Sequence, residues 1–205
     1  EFRRVLFRSD EFVERKSRFI GTATPVSTQE EAIAFIDEMR SKYWDATHNV
    51  YAYILRDGTK RYSDDGEPQG TAGVPVLDVL QKEGLTDLCV VVTRYFGGIL
   101  LGAGGLVRAY SHGAKIAVDA AGIKPMSVCK VYELEMDYSQ YGKITYLLPK
   151  FHAVTLESDF GVVVKMRVMM RAVYASQFQR ELEELTSATV FPYEIEEVWD
   201  CIPEK

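Results

Sequence analysis

Cysteine is scarce in this chain of 205 residues: Cys89, Cys129 and Cys201 are odd in number, far apart, and form no CxxC pair. That excludes a disulfide framework and a zinc site, and it suits a reducing, cytoplasmic setting. Long apolar runs are missing too. The stretch Leu88–Val92 falls far short of the ~20 residues that a membrane-spanning helix needs. The three histidines, His48, His112 and His152, make no HxxxH or HExxH pair, so no metal centre is expected. There is no GxSxG elbow, no Walker loop and no dinucleotide fingerprint, so the common hydrolase, nucleotidase and dehydrogenase signatures are absent. Basic charge is in deficit: 24 Lys and Arg stand against 30 Asp and Glu, a formal net charge of -6. Coating of DNA or RNA by bulk charge is thereby excluded. What is present is ordinary globular composition, 47% hydrophobic and 26% charged, which excludes disorder and collagen-like repeats.

Residues 1–9, EFRRVLFRS, reverse-translate to GAG TTC AGA CGT GTG CTC TTC CGA TCT. This is read as a sequencing-library adapter translated in frame, rather than as a basic leader peptide, and is set aside from fold reasoning. Without it 21 basic and 29 acidic residues remain, net -8. The native N-terminal residues, and any secretion signal among them, are then expected to be missing.

The patterning divides the rest into two domains, 10–125 and 126–205. Residues 11–26 read as a strand. A helix follows, with Thr28 as cap and Glu31 three residues on as a capping box; Ala32, Ile33, Phe35, Ile36, Met39 and Tyr43 recur at helical spacing. Residues 49–56 are a strand leading to an Asp57-Gly58 turn. Residues 60–73 read as a polar loop and 74–83 as a helix with Pro75 in its first turn. LCVVVTRYF (88–96) is a buried strand, GGILLGAGG (97–105) a glycine-rich turn and 106–122 a long helix. From Pro125 onward the order is strand 130–137, helix 139–150, strands 153–159 and 162–172 joined at Phe160-Gly161, helix 174–187 and strand 188–198. That β-α-β-β-α-β order is ferredoxin-like, so the fold class is α+β.

Two segments hold the candidate site residues. In TRYFGGILLGAGGLVRAY (93–110), a strand runs through Gly97, Gly98, Gly102, Gly104 and Gly105 into a helix. Free N–H groups at a helix start favour anions, and Arg94 and Arg108 can add charge. On spacing alone, tight packing is the preferred account of the glycines over anion binding. In RYSDDGEPQGTAG (61–73), Arg61, Ser63, Asp64, Asp65, Glu67 and Thr71 form a cluster suited to binding, or simply a solvated loop. His48, at a strand end beside Asn49, is the remaining candidate. No catalytic residue, cofactor or metal is assigned.

With these blocks laid out, the chain resembles the IMPACT/YigZ family. KSRFIG (16–21), ATHNVYAY (46–53), SDDGEPQGTAG (63–73) and VVVTRYFGGILLGAGGLVRAY (90–110) match its shared blocks in order and spacing. The resemblance implies a first domain similar to domain IV of elongation factor G, a small-subunit ribosomal protein domain (the ribosomal protein domain 2-like fold) and GHMP kinases. It implies a left-handed crossover there, against the usual preference, and a second domain similar to domain V of elongation factor G. Eukaryotic relatives act in translational control, competing for a ribosome-associated activator of an initiation-factor kinase. The implied function is a cytoplasmic regulator with a ribosome or translation-factor partner. RNA binding ranks second, and a phosphate-ligand binder or enzyme using the 63–73 and 94–108 loops ranks third. Neither DNA nor a membrane is expected as a partner. A basic patch from Lys16, Arg18, Arg61, Arg94 and Arg108 is expected to carry any RNA contact.

Overall fold

The computed structural model describes residues 2–202, with side chains from Leu6 onward. Glu1 and residues 203–205 lie outside the described residues, as do the parts of the adapter and C-terminal domain readings that fall on them. The chain divides into two compact units, Phe2–Pro125 and Met126–Lys205. Among the described residues no helix is long and apolar enough to cross a membrane.

The first unit runs β1 (Phe2–Val5), β2 (Arg8–Glu14), β3 (Ser17–Pro25), α1 (Gln29–Lys42), β4 (His48–Ile54), β5 (Lys60–Ser63), α2 (Gly73–Lys82), β6 (Leu88–Tyr95) and α3 (Ala103–Ala121). Its main sheet has the order β2-β3-β6-β4-β5, antiparallel throughout. Strand side chains alternate between faces. On central β6, Leu88, Val90 and Val92 pack with Leu106, Tyr110 and Ala114 of α3 and Val76 and Leu80 of α2. Cys89 and Val91 pack with Phe35, Ile36 and Met39 of α1. A strand covered on both faces has no polar side, which accounts for its unbroken apolar run. At the start of α1, Thr28 Oγ1 accepts from the Glu31 N–H at 3.2 Å, and Glu31 Oε2 accepts from the Ser27 N–H at 2.6 Å. The capping box is therefore present, its second bond made one residue early.

Two sequence expectations are corrected. Residues 11–26 are a hairpin rather than one strand: Glu14 pairs with Ser17 across Arg15 and Lys16, at φ 45° and 65°. Both turn residues are left-handed, as a tight two-residue hairpin requires. Neither is Gly, Asn or Asp, so the turn left no composition signal. The ladder also reaches into the adapter-like segment, where Arg8 and Ser9 pair with Ala23 and Thr22. Ladder bonds are made by the backbone and accept any non-proline residue. Second, the 60–73 loop begins as β5, an edge strand with Ser63 opposite Tyr51; polar residues are ordinary at an edge.

The second unit contains most of β7 (Ile123–Met136), then α4 (Tyr138–Leu147), a 3-10 turn, β8 (Val154–Phe160), β9 (Val164–Arg171), α5 (Ala175–Thr186) and β10 (Tyr193–Asp200). These four strands lie in the order β10-β7-β9-β8, all neighbours antiparallel. This is the ferredoxin-like arrangement, and the chain as a whole is α+β. Leu134, Met166, Val168 and Met170 pack against Ile144 of α4 and Phe178 and Leu182 of α5. The last strand starts at Tyr193 rather than 188, because Ser187 and Ala188 turn left-handed at φ 53° and 56° and end α5.

Candidate functional site

Between β6 and α3 the chain turns through residues 96–102. A Cβ at Gly97 would sit 2.0 Å from the Lys16 backbone carbonyl, so only glycine lets this turn lie against the β2–β3 hairpin. Gly102, at φ 72°, opens α3, and Leu106 N–H donates to its carbonyl at 2.9 Å. The helix starts at Ala103, a little before its expected start. Gly98 borders open space, Gly105 packs on the Leu101 side chain, and Gly104 lies beside the Arg108 guanidinium.

Arg94, near the end of β6, is 5% exposed. Its Nη1 donates to Glu67 Oε1 at 2.6 Å and its Nη2 to Ser17 Oγ at 3.4 Å; its Nε has no partner. The guanidinium lies 5.5 Å from the Phe19 ring centre and 5.4 Å from that of Phe96. Tyr110 of α3 donates its hydroxyl to the same Glu67 oxygen at 2.7 Å. Burial above all, then the Glu67 charge, pushes the Tyr110 phenol well above its ordinary range, so it stays a proton donor. His48 lies opposite Arg94 in the β4–β6 ladder. Its Nδ1 is 2.8 Å from the Asp65 carbonyl oxygen. A carbonyl only accepts, so Nδ1 carries a proton. Nε2 is left 3.7 Å from Glu67 Oε1.

The loop before α2 is shaped by its own polar groups. The Asp64 carboxylate accepts from the N–H groups of Gly70, Ala72 and Gly73 at 2.9, 3.1 and 2.8 Å, which occupies the start of α2. Asp65, at φ 45°, accepts from the Asn49 N–H at 2.6 Å. Ser63 Oγ accepts from the Asp65 N–H at 3.1 Å, and Thr71 donates to the Pro68 carbonyl at 2.6 Å. These side chains hold the loop so that Glu67 reaches Arg94.

The two loops singled out in the sequence therefore meet, through Glu67 and Arg94, with His48 beside them. Arg61 is apart, exposed on β5 and bonded to the Lys60 carbonyl. Sequence reasoning missed Tyr110 and Ser17, although both lie inside matched blocks. The available signal was a hydroxyl on the otherwise apolar face of α3. The expected basic patch is also corrected. Arg94 is neutralised inside the fold, and Arg18 pairs with Glu11 at 2.6 Å. Lys16 and Arg108 remain, joined by Arg15, whose Nη1 donates to the Leu100 carbonyl at 3.4 Å. Among the described residues these three have no carboxylate partner.

A cavity of about 380 Å³ opens over this cluster, with Thr47, His48, Glu67 and Arg94 as its polar residues. Phe96, Leu100, Leu101 and Leu106 supply apolar lining, and Gly102 and Ala103 bring in the start of α3. A larger opening of about 1370 Å³ lies along α4 and α5. On it Lys150 and Glu181 bond each other and Lys143 is the remaining charged residue, whereas the smaller cavity gathers buried charged groups and is the better candidate on chemistry.

The Impact N-terminal domain pattern matches residues 15–118, a span that holds the whole cluster. The chain belongs to the IMPACT family. Residues 134–189 match a domain of unknown function (DUF1949). IMPACT family member YvyE of Bacillus subtilis (strain 168) is 40% identical over 179 residues, covering 86% of this chain and 82% of the relative. IMPACT family member YigZ of Escherichia coli (strain K12) is 35% identical, covering 89% and 92%. A crystal structure of a protein described only as hypothetical aligns with a TM-score of 0.60 at 32% identity, over 95% of this chain and 97% of its own. The IMPACT likeness thus extends over both units.

Proposed function

We propose that this IMPACT-family chain is a cytoplasmic binding protein that regulates translation, docking an acidic ribosome-associated protein or translation factor through the 96–102 turn. The family resemblance supplies the translational context. The observation that carries the docking surface is Leu100, which is 80% exposed on a turn pinned at Gly97, with Phe96 and Ile99 also exposed. Apolar side chains held in water on a fixed turn are characteristic of interfaces. Arg15, Lys16 and Arg108 beside them give a locally basic rim on an acidic chain, which steers toward an acidic surface.

The test is co-sedimentation of the full chain with ribosomes at low and moderate salt, alongside Leu100→Asp. The wild-type chain sediments with ribosomes and the variant loses about tenfold of that signal. Absence of wild-type association at every salt, or undiminished association of the variant, overturns the proposal. RNA binding is the second reading, favoured by the same three cations. It predicts a steep salt dependence, loss of capture after RNase, and little effect of Leu100→Asp.

A further inference from the structure

The cavity beside the docking turn holds two open acceptors. His48 Nδ1 is committed to the Asp65 carbonyl, so Nε2 of the neutral ring can only accept. It stands 3.7 Å from Glu67 Oε1, another acceptor and too far for a hydrogen bond. Glu67 Oε1 already receives Arg94 and Tyr110, whereas Oε2 receives no donor among the described residues. Neither His48 Nε2 nor Glu67 Oε2 is sealed from solvent. Among the described residues of the first unit, Arg94 Nε is the one side-chain nitrogen or oxygen shut away without a partner. Both His48 and Glu67 border the cavity, and their side chains are 19% and 4% exposed. A nearly buried acceptor without a donor is costly. The chemistry of the missing donor is narrowed by what surrounds it. Arg94 Nη1, 2.6 Å from Oε1, already balances the Glu67 charge, so no second cation is called for. Phe96, Leu100, Leu101 and Leu106 make the rest of the lining largely apolar, and about 380 Å³ is far more room than one water fills.

We infer that this cavity receives an aromatic side chain bearing an N–H or O–H, a tryptophan or tyrosine of the docked partner, with its ring against Phe96, Leu101 and Leu106 and its donor at His48 Nε2 or Glu67 Oε2. Such side chains join a large apolar body to one polar tip, and they anchor interfaces. The apolar lining removes the ring from water. This deepens the docking reading and rests on it for the partner: the exposed Leu100 meets the partner's surface while the ring enters beside it.

The test titrates the full chain, without ribosomes, with indole and with phenol. Each is set against a probe of the same shape that lacks the donor, benzofuran for indole and fluorobenzene for phenol. The NMR signals of the His48 imidazole report occupancy of the cavity, and those of His112 and His152, which do not border it, are the internal control. At least one donor probe shifts the His48 signals saturably and binds about tenfold more tightly than its donor-free counterpart, as one hydrogen bond to these acceptors warrants. Saturation by indole alone assigns tryptophan, and by phenol alone tyrosine. No saturable shift of His48, or equal binding of each probe and its counterpart, overturns the inference. The saturating probe then lowers co-sedimentation with ribosomes about threefold, and undiminished co-sedimentation overturns the anchor while leaving the docking turn. Probe binding without any ribosome association overturns the docking reading and leaves the cavity a site for an aromatic donor.

Discussion

In the first unit helices cover both faces of the main sheet; in the second, α4 and α5 share one face. The buried polar residues follow that difference. Ser17, Asn49, Glu67, Thr93 and Arg94 are buried in the first unit, whereas Thr186 is the buried polar residue of the second among the described residues. Thr186 is satisfied within its own helix, donating to the Leu182 carbonyl at 2.8 Å. Arg94 draws partners from β3 and from the loop before α2, and Glu67 adds one from α3. A sheet enclosed on both faces provides such partners, and a buried charge without them is not tolerated. A buried ion pair is weak evidence for stability, since an apolar replacement is often as stable. The first unit thus retains a polar core that packing alone does not require, which makes it the place of the candidate site.

The largest effect is expected from breaking that core. Arg94→Met leaves the buried Glu67 carboxylate without its cation and costs about 3–5 kcal/mol, read by urea unfolding of the full chain. Arg94→Met combined with Glu67→Leu returns most of the loss, because both charges then leave together. A double variant as unstable as the single one shows that the two residues do not act as a pair.

A smaller effect comes from glycines that play opposite parts in the two units. Gly97→Ala drives a methyl group to 2.0 Å from the Lys16 carbonyl and is expected to cost about 1–3 kcal/mol. Gly142, inside α4, has nothing within 4 Å of a built Cβ, so Gly142→Ala gains up to about 1 kcal/mol of helix propensity. Opposite shifts of the urea midpoint confirm the contrast. A stabilising Gly97→Ala shows that the hairpin yields freely to the turn.

These cases also show how far the fold and site were legible in the sequence. The capping box of α1, the Asp57-Gly58 turn, the buried run of β6 and the β-α-β-β-α-β order are local patterns, and local chemistry writes them into neighbouring residues. The Arg15-Lys16 turn was not legible, because its left-handed backbone is set by the β2–β3 ladder and not by turn-forming residues. Asp64 read as a possible ligand, yet its carboxylate serves the start of α2 nine residues away. Glu67 and Arg94 stood in separate blocks, and no spacing rule links residues 27 apart. Tyr110 was hidden in an apolar helix face because its hydroxyl finds its acceptor in a distant loop.

The smallest expected effect at neutral pH, and the one that most sharpens the comparison, is that of Tyr110→Phe. The variant deletes one hydrogen bond while Arg94 still serves the Glu67 oxygen, so it costs about 1 kcal/mol. Its larger signature is in alkali. Burial and Glu67 raise the Tyr110 pKa in the folded protein, above the value of about 10 for an unfolded chain. The folded state therefore holds its proton where the unfolded state releases it. That contribution is complete below pH about 10 and is lost as pH rises toward the folded value. Wild type should lose stability between pH about 9 and about 11 more steeply than Tyr110→Phe, the two curves closing by up to about 1.4 kcal/mol per pH unit above 10. Tyr132 of the second unit is also shifted upward, by burial first, but no buried carboxylate depends on its hydroxyl. Tyr132→Phe should then remove less of the alkaline slope than Tyr110→Phe. Equal slopes for the two variants would place the alkaline sensitivity in burial alone and remove Glu67 from the account.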